Sequence, residues 1–576
     1  MTIAIDAAAL PDSVRAQGKV GVRGDTPPLA WDRSTPLLDD DGDGVYTGTL
    51  DFPEGTGPVA YKAVLEGPGA DVAWEPGDNR LLMPGRMAAD RRAFGDPQAD
   101  LPVLTVSRQQ LREDLGVLQN AIGALHPGLF LHNTPAEVEA VSNRLRAEAR
   151  ALGAAYGEAI PMPQVYLAVS KAVAGLRDGH TKVSMYNQGA YLAAVLYGRP
   201  DRVPFTFRLV EGRMIVTGDA TPGAVLPRGT EILSLDGRPA KTVVDALLPY
   251  ASADGDADGD RLHRLEVNAL PAPAERFDVT YALLFEPEGD LPLRVRLPDG
   301  TETTRTVART TQDARRAALQ ARDASFPRSD GDLFRLRVLD DGTALLRIGT
   351  FATFSLDIDY GAWLTDAFRQ IRDRDATRLV VDLRGNAGGM TDAAVLLLRH
   401  LLTEGVEVTP WDGVTAYQTV PPDVRPHVRS WSSEFYDLTG RVTPAGDGTF
   451  RMAPRPRVRL EPAPDAFDGP VAVLVDAAAS SATFLLADQI QKTGAALLVG
   501  QETGGSLRGL NAGQVMFLTL PHTGLVVDLP LIGSRPPGGG RDGGVVPDVL
   551  VTPDADAVVA GRDPELEAAT SALTSR

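Results

Sequence analysis

Two stretches of this sequence set chemically capable residues at the junction of a buried strand and a helix. In one, Val471-Ala472-Val473-Leu474-Val475 passes through Asp476 and three alanines into Ser480-Ser481-Ala482-Thr483-Phe484 and then a helix. A serine at a helix N-terminus lies at the positive end of the helix dipole, where developing negative charge is favoured. The same position also suits a serine that merely caps the helix. In the other stretch, Val381-Asp382-Leu383 runs into Arg384-Gly385-Asn386-Ala387-Gly388-Gly389. Glycines there leave backbone N–H groups free to face a phosphate or an oxyanion, or simply make a tight turn. The Gly-Lys-Ser/Thr ending of a phosphate loop is missing.

An activated serine needs a base within about 3 Å. Residues 331–576 contain one lysine, Lys492, which follows Ser481 along the same helix. At 1.5 Å per residue it stands about 16 Å away, out of reach. The chain has seven histidines, and one of them, His180, closes the run Gly175-Leu176-Arg177-Asp178-Gly179-His180-Thr181 at the end of an expected helix.

The elements that must position these residues follow from periodicity. Residues 1–98 show short alternating runs (Val20–Val22, Val45–Leu50, Val59–Val64) broken by Gly, Pro and Asp, the pattern of a β-sandwich. From Thr105 onward Leu111, Leu115, Leu118 and Ile122 recur at helical spacing, with further helices over Val138–Leu152 and Pro163–Leu176, so 105–190 reads as a helical segment. Strands return over 203–310, among them Met214–Val216, Glu231–Leu235 and Leu293–Leu297. The acidic, Gly-rich run Ala253–Asp260 within them is expected to be a solvated loop. After the charged helix Gln312–Arg322, residues 331–576 alternate strands (Thr343–Ile348, Arg378–Leu383, Val471–Val475, Ala496–Val499) with helices (Tyr360–Arg372, Ala393–Leu402, Phe484–Lys492). Such alternation implies a parallel or mixed sheet covered on both faces, with function at the turns that follow its strands.

A chain of 576 residues is too long for one core and is expected to be multidomain. Its net charge of −19 disfavours nucleic acid and anionic membranes as partners. The absence of cysteine excludes disulfides, thiolate metal sites and a cysteine nucleophile. No apolar run is long enough to span a bilayer, so the protein is not expected to be transmembrane. The alternating Ile3 and Ile5 begin almost at once, as though a leader had been removed. The compartment stays open, with export (periplasmic or secreted) weighed slightly above the cytoplasm.

Taken as an ordered set, four motifs resemble the carboxyl-terminal-processing, or tail-specific, serine protease superfamily, which includes the tricorn core and retinoid-binding-protein-like repeats. They are Asp382–Gly389, Ala479–Phe484, Val499-Gly500-Gln501-Glu502-Thr503-Gly504-Gly505, and Gly544-Val545-Val546-Pro547-Asp548-Val549. The resemblance implies a serine endopeptidase or tail-specific protease, a hydrolase opening peptide bonds through an acyl-enzyme. It places the nucleophile at Ser481, with Ser480 as fallback, although Phe484 stands where the family usually has Glu. Ser506 stands where many members carry a base lysine. The tricorn-like branch instead has Leu-x-Asp-Gly-His-Thr, which Leu176–Thr181 looks like, so His180 is implied as general base; an imidazole is neutral and basic near pH 7. That branch's orienting Glu precedes its terminal motif, where Asp542 is the nearest acidic residue here and Glu502 the runner-up. The implied oxyanion donors are the N–H of Ala482 with that of Gly388 or Gly389. The substrate would be a peptide or protein, its binding residues unidentified, and no metal or organic cofactor is required.

Two supporting domains complete the expectation. Arg228–Pro239 resembles part of a PDZ domain, making 203–310 a PDZ-like region beside an α/β serine protease core at 331–576. Residues 1–98 look like a starch-binding β-sandwich through Gly24–Trp31, Tyr61–Val64 and Trp74–Arg80, with Trp31 and Trp74 placed to stack on sugar or to fill a core. Asp39-Asp40-Asp41-Gly42-Asp43-Gly44 imitates the start of a calcium loop, but Leu50 occupies the place of its bidentate Glu, so an acidic turn is expected. The rival to a peptidase is a non-catalytic ligand- or peptide-binding protein on the same scaffold. A third reading makes the first domain a carbohydrate-directed active part.

Overall fold

The computed structural model describes residues 1–7, 10, 19–53, 56, 58–67, 72–75, 79–84, 89–94, 103–270, 272–323 and 326–574. Pro76, Gly77 and Asp78, part of the expected sugar-binding signature, lie outside the described residues. The chain divides into two units, Met1–Leu104 with Gln188–Leu196, and Thr105–Asn187 with Tyr197–Arg576. Residues 105–187, 203–310 and 331–576 all fall in the second. No helix among the described residues is long and apolar enough to cross a membrane.

The first unit is built on two sheets. Thr2–Asp6 pairs antiparallel with Val45–Thr49 and parallel with Ala89–Ala93, while Lys19–Gly24 and Val59–Glu66 form the centre of the other sheet. Alternating inward residues, including Ile3, Ile5, Val20, Val22, Tyr61 and Ala63, make the core. Trp31 and Trp74 remain outside it, 37% and 44% exposed, with ring centroids 6.1 Å apart and planes at 44°. The Asp39, Asp41 and Asp43 carboxylates come within 4.8 Å of one another. They also accept backbone N–H groups of their own turn, those of Gly42, Asp43, Gly44 and Val45, as an acidic turn does.

In the second unit, helices Arg108–Leu125 and Pro135–Tyr156 each begin on a capping box, Ser107 with Gln110 and Thr134 with Glu137. Met162–Ala174 is buried on nearly every side and delivers the chain to His180. Immediately beyond, Lys182–Val183 pairs antiparallel with the long strand Val526–Arg535, in register Lys182 to Asp528. His180 is thus fixed between a helix end and a strand.

Six antiparallel strands over 205–307 form a sheet in the order Phe205–Val210, Arg213–Asp219, Glu231–Leu235, Leu291–Arg296 and Glu302–Val307, with the short Arg238–Pro239 also paired to Glu231–Leu235. The run Ala253–Asp260 departs from the expected solvated loop. Asp254 and Asp260 are buried while Asp256 and Asp258 are exposed. Composition suggested solvent, but long-range partners draw the run inward: the Gly255 N–H donates to Arg177 O and the Gly179 N–H to Asp254 Oδ1, both at 2.9 Å, while Asp260 is held locally by Arg264 at 2.9 Å through both carboxylate oxygens.

The last region carries a six-stranded mixed sheet in the order Phe334–Val338, Thr343–Ile348, Arg378–Asp382, Val471–Val475, Leu497–Gly500 and Val549–Leu550. The first pair is antiparallel and the rest are parallel. Val471–Val475 is buried throughout, as a central parallel strand covered on both faces must be. It lies beside Arg378–Asp382 in register Val381 to Val473. The two turns of chemical interest therefore leave neighbouring strands at the same edge of the sheet.

Candidate active site

Asp476 ties the two turns together. Its carboxylate accepts the Gly385 N–H at 3.0 Å and the Ala478 N–H at 3.1 Å, one from each turn. Asn386 adds a second clasp: its Oδ1 accepts the Gly388 N–H and the Thr483 hydroxyl, both at 2.9 Å, and its Nδ2 donates to Ile348 O at 3.2 Å. Neither residue was singled out in the sequence, although both stand inside its two strand-to-helix stretches.

Ser480 is the residue that precedes the helix Ser481–Thr493, but its side chain makes no capping bond; its hydroxyl donates to Ala387 O at 3.2 Å. Ser481 is the first helical residue and has φ of +53°, a left-handed conformation that costs a non-glycine residue about 1–2 kcal/mol. Among the described residues its hydroxyl carries no hydrogen bond. The Ala482 N–H and the Gly389 N–H likewise have no acceptor there, whereas the Gly388 N–H is committed to Asn386. Gly388, at φ +99°, packs so closely that a Cβ on it would stand 2.7 Å from Ser481 Cβ and 2.8 Å from Ala482 N. A Cβ on Gly389 would collide with Phe351 at 2.0 Å. A serine beside two free N–H groups is the arrangement an acyl-transfer centre needs.

His180 is held from the backbone side. Its N–H and that of Thr181 donate to Asp178 Oδ1 at 2.9 and 2.8 Å, and Asp178 Oδ2 accepts from Asn511 Nδ2 at 2.7 Å and faces His126 Nε2 at 3.4 Å. Burial pushes the Asp178 carboxyl up, but His126, His180 and Asn511 outweigh this and hold it below its usual range. Burial lowers the His180 pKa to about 4, aided by Lys182 and Arg264 and opposed by Asp178. The imidazole is therefore neutral at pH 7, as a general base must be.

Among the described residues no hydrogen bond joins His180 to Ser481. The segment 254–264 runs between their surroundings: Asp254 lies beside His180, while Asp260 packs against Gly504, which in turn neighbours Ser480. Asp542, expected to orient His180, is not brought to it. It accepts the Ser506 hydroxyl at 2.9 Å and the Gly543 N–H at 3.0 Å, with His132 Nδ1 at 3.4 Å. Burial raises its carboxyl, yet Ser506, His132 and Gly543 together hold it below the usual range. Ser506, at the position of the family's lysine, thus serves Asp542. Glu502 lies at the surface 3.4 Å from Arg541. Phe484, in place of the family's Glu, is a buried core residue against Gly505 and Trp411.

Residues 342–551 match the family model for peptidase family S41. Among solved structures, the chain is similar to mature CPAF complexed with lactacystin at 17% identity and a TM-score of 0.56, covering 81% of this chain and 98% of that one. A further crystal structure of mature CPAF gives 16% identity, a TM-score of 0.54 and coverage of 81% and 96%. The family 20 carbohydrate-binding module of a maltotetraose-forming amylase from Pseudomonas saccharophila is similar at 17% identity over 16% of this chain and 97% of that one, with a TM-score of 0.14, too low to carry an argument. No curated protein matches the sequence. At these identities the solved structures speak for fold alone; the chemistry rests on the family match.

Proposed function

We propose that this chain, a serine peptidase whose residues 342–551 form a core of the S41 kind, opens peptide bonds through an acyl-enzyme on Ser481, with His180 as general base. The observation that carries the assignment is Ser481 itself, in a left-handed conformation at a helix start beside the unbonded N–H groups of Ala482 and Gly389. Ser481 Oγ attacks the substrate carbonyl and its proton passes to the neutral His180 imidazole. The two N–H groups receive the oxyanion, and His180 returns the proton to the leaving amine; water then resolves the ester by the same path in reverse. Of the two donors implied on the glycine turn, we assign Gly389, because the Gly388 N–H is already bound. The region 203–310 enters this reading as a PDZ-like module that binds or braces an extended peptide, and export is the compartment we favour.

Fluorophosphonate labelling tests the assignment, with the adduct located by mass spectrometry in the intact protein and in Ser481→Ala, Ser480→Ala and His180→Ala. An adduct on Ser481 that survives in Ser480→Ala and is lost in the other two variants is expected. A folded protein that takes up no label would favour the non-catalytic scaffold instead. The first unit invites a second assignment, a glycan platform on the exposed, adjacent Trp31 and Trp74 rings, tested by binding to soluble starch.

A further inference from the structure

The geometry points to Asp254, in the acidic run ahead of the helix Asp258–His263, as the positioning carboxylate for the Nδ1 side of the His180 ring. This rests on His180 being the general base. His180 Nδ1 is buried without a hydrogen-bond partner among the described residues, and so is Asp254 Oδ2. One ring nitrogen of His180 and one carboxylate oxygen each of Asp178 and Asp254 lie within 4.8 Å of one another. The two residues are thus neighbours, and each keeps a buried, unpaired polar atom whose desolvation cost one hydrogen bond between them would remove.

The other carboxylates are spent. Asp178 Oδ1 accepts from the His180 and Thr181 N–H groups and the Thr181 hydroxyl, and its Oδ2 is taken by Asn511 and faces His126. Asp542 is held by Ser506, Gly543 and His132. Asp254 uses Oδ1 on the Gly179 N–H at 2.9 Å and keeps Oδ2 free. Gly179 makes room for this approach, since a Cβ on it would stand 3.0 Å from that oxygen. The Asp254 backbone is also pinned, because the neighbouring Gly255 N–H donates to Arg177 O. With Nδ1–H donated to Asp254, the Nε2 lone pair is left for the Ser481 proton.

Charge fixes when this arrangement is complete. Burial, with Asp178 and Asp260 nearby, raises the Asp254 carboxyl to about 7, against the pull of the Gly179 N–H and Arg264. His180 faces Asp178, Lys182 and Arg264. Asp254 becomes an ionised acceptor only as pH rises through about 7, so Ser481 reactivity should climb over that interval.

Histidine-selective 15N NMR on the full chain reads the ring directly, with His180 assigned from the signals lost in His180→Gln. Above pH 8 a neutral ring protonated on Nδ1 is expected in the wild type, and in Asp254→Asn a changed tautomer or a lowered His180 pKa. A wild-type ring protonated on Nε2, or one whose tautomer and pKa are the same in Asp254→Asn, overturns the assignment. In fluorophosphonate kinetics, Asp254→Asn should react slower by on the order of 100-fold or more and lose the rise near neutrality. Asp254→Glu should recover part of that rate, and the exposed Asp256→Asn should match wild type. Equal rates and pH profiles for wild type and Asp254→Asn would also overturn it. A wild type with the Nδ1 tautomer that never labels at Ser481 would refute the peptidase reading and leave the Asp254–His180 contact standing.

Discussion

Gly388→Ala puts the proposed oxyanion site under the most direct stress. The added Cβ would stand 2.7 Å from Ser481 Cβ, 2.8 Å from Ala482 N and 2.8 Å from Ser480 O. Carbon atoms rest about 3.5–4.0 Å apart, so Ser481 must retreat by roughly 0.8 Å or the glycine turn must open by as much. At φ +99° an alanine also pays a conformational cost of about 1–3 kcal/mol. A displacement near 1 Å at the reacting atoms costs about 100-fold in rate, and a misaligned oxyanion donor about 100- to 1,000-fold. Gly385→Ala is the matched control: it too has positive φ, but its Cβ would meet no atom nearer than Arg347 Nη2 at 3.7 Å. We expect both variants to lose stability in urea unfolding. Gly388→Ala alone should lose two or more orders of magnitude in fluorophosphonate labelling of Ser481, about 100-fold at least. If Gly388→Ala labels within about threefold of Gly385→Ala, the glycine turn does not form the reacting surface and the oxyanion assignment falls.

Other consequences can be checked separately. The Asp254 carboxyl is raised from 3.8 to about 7 in the fold, so the folded chain holds an extra proton between those values and loses stability as pH climbs through them. Asp254→Asn should therefore be more stable than wild type in urea unfolding at pH 8, by on the order of a few kcal/mol, with the difference closing near pH 4; a lower stability at pH 8 contradicts this. Asn511→Ala strips Asp178 Oδ2 of its 2.7 Å donor and should cost about 2–3 kcal/mol in urea unfolding. Asp476→Ala leaves the Gly385 and Ala478 N–H groups unpaired and should cut Ser481 labelling more than it cuts secondary structure measured by circular dichroism. Trp31→Ala and Trp74→Ala should each abolish retention on a starch affinity gel while leaving labelling unchanged.

What the sequence disclosed followed the range of its forces. Val471–Val475 falls where its apolar run puts it, because a strand buried on both faces shows its identity residue by residue, and Thr343–Ile348 also keeps its expected bounds. Gln312–Arg322 likewise matches its helical spacing. The helix Ser481–Thr493 begins three residues ahead of the expected Phe484, since Ser481 enters it through a left-handed φ that no periodicity displays. Asp254 was hidden for a different reason. Its neighbours Asp256, Asp258 and Gly259 are exposed and composition averages over them, while its burial is imposed by Gly179 and Arg177, remote in sequence. Asp542 failed as an orienting residue on the same ground: nearness to a motif could not reveal that Ser506 and His132 would claim it.

The strand that steadies His180 has a consequence for the order of events during synthesis. Lys182–Val183 finds its partner in Val526–Arg535, and Asp178 finds Asn511, all more than half the chain away. A chain made from its N-terminus carries His180 early and Ser481 late, and both leave the ribosome before Asn511 and Asp528 do. Throughout that interval the proposed nucleophile and base exist without being assembled, and non-local pairing of this kind is the slow part of folding. On the proposed assignment, a peptidase would thereby stay inert beside its own nascent chain. Released chains truncated ahead of residue 510 should take no label at Ser481, while full-length chains should.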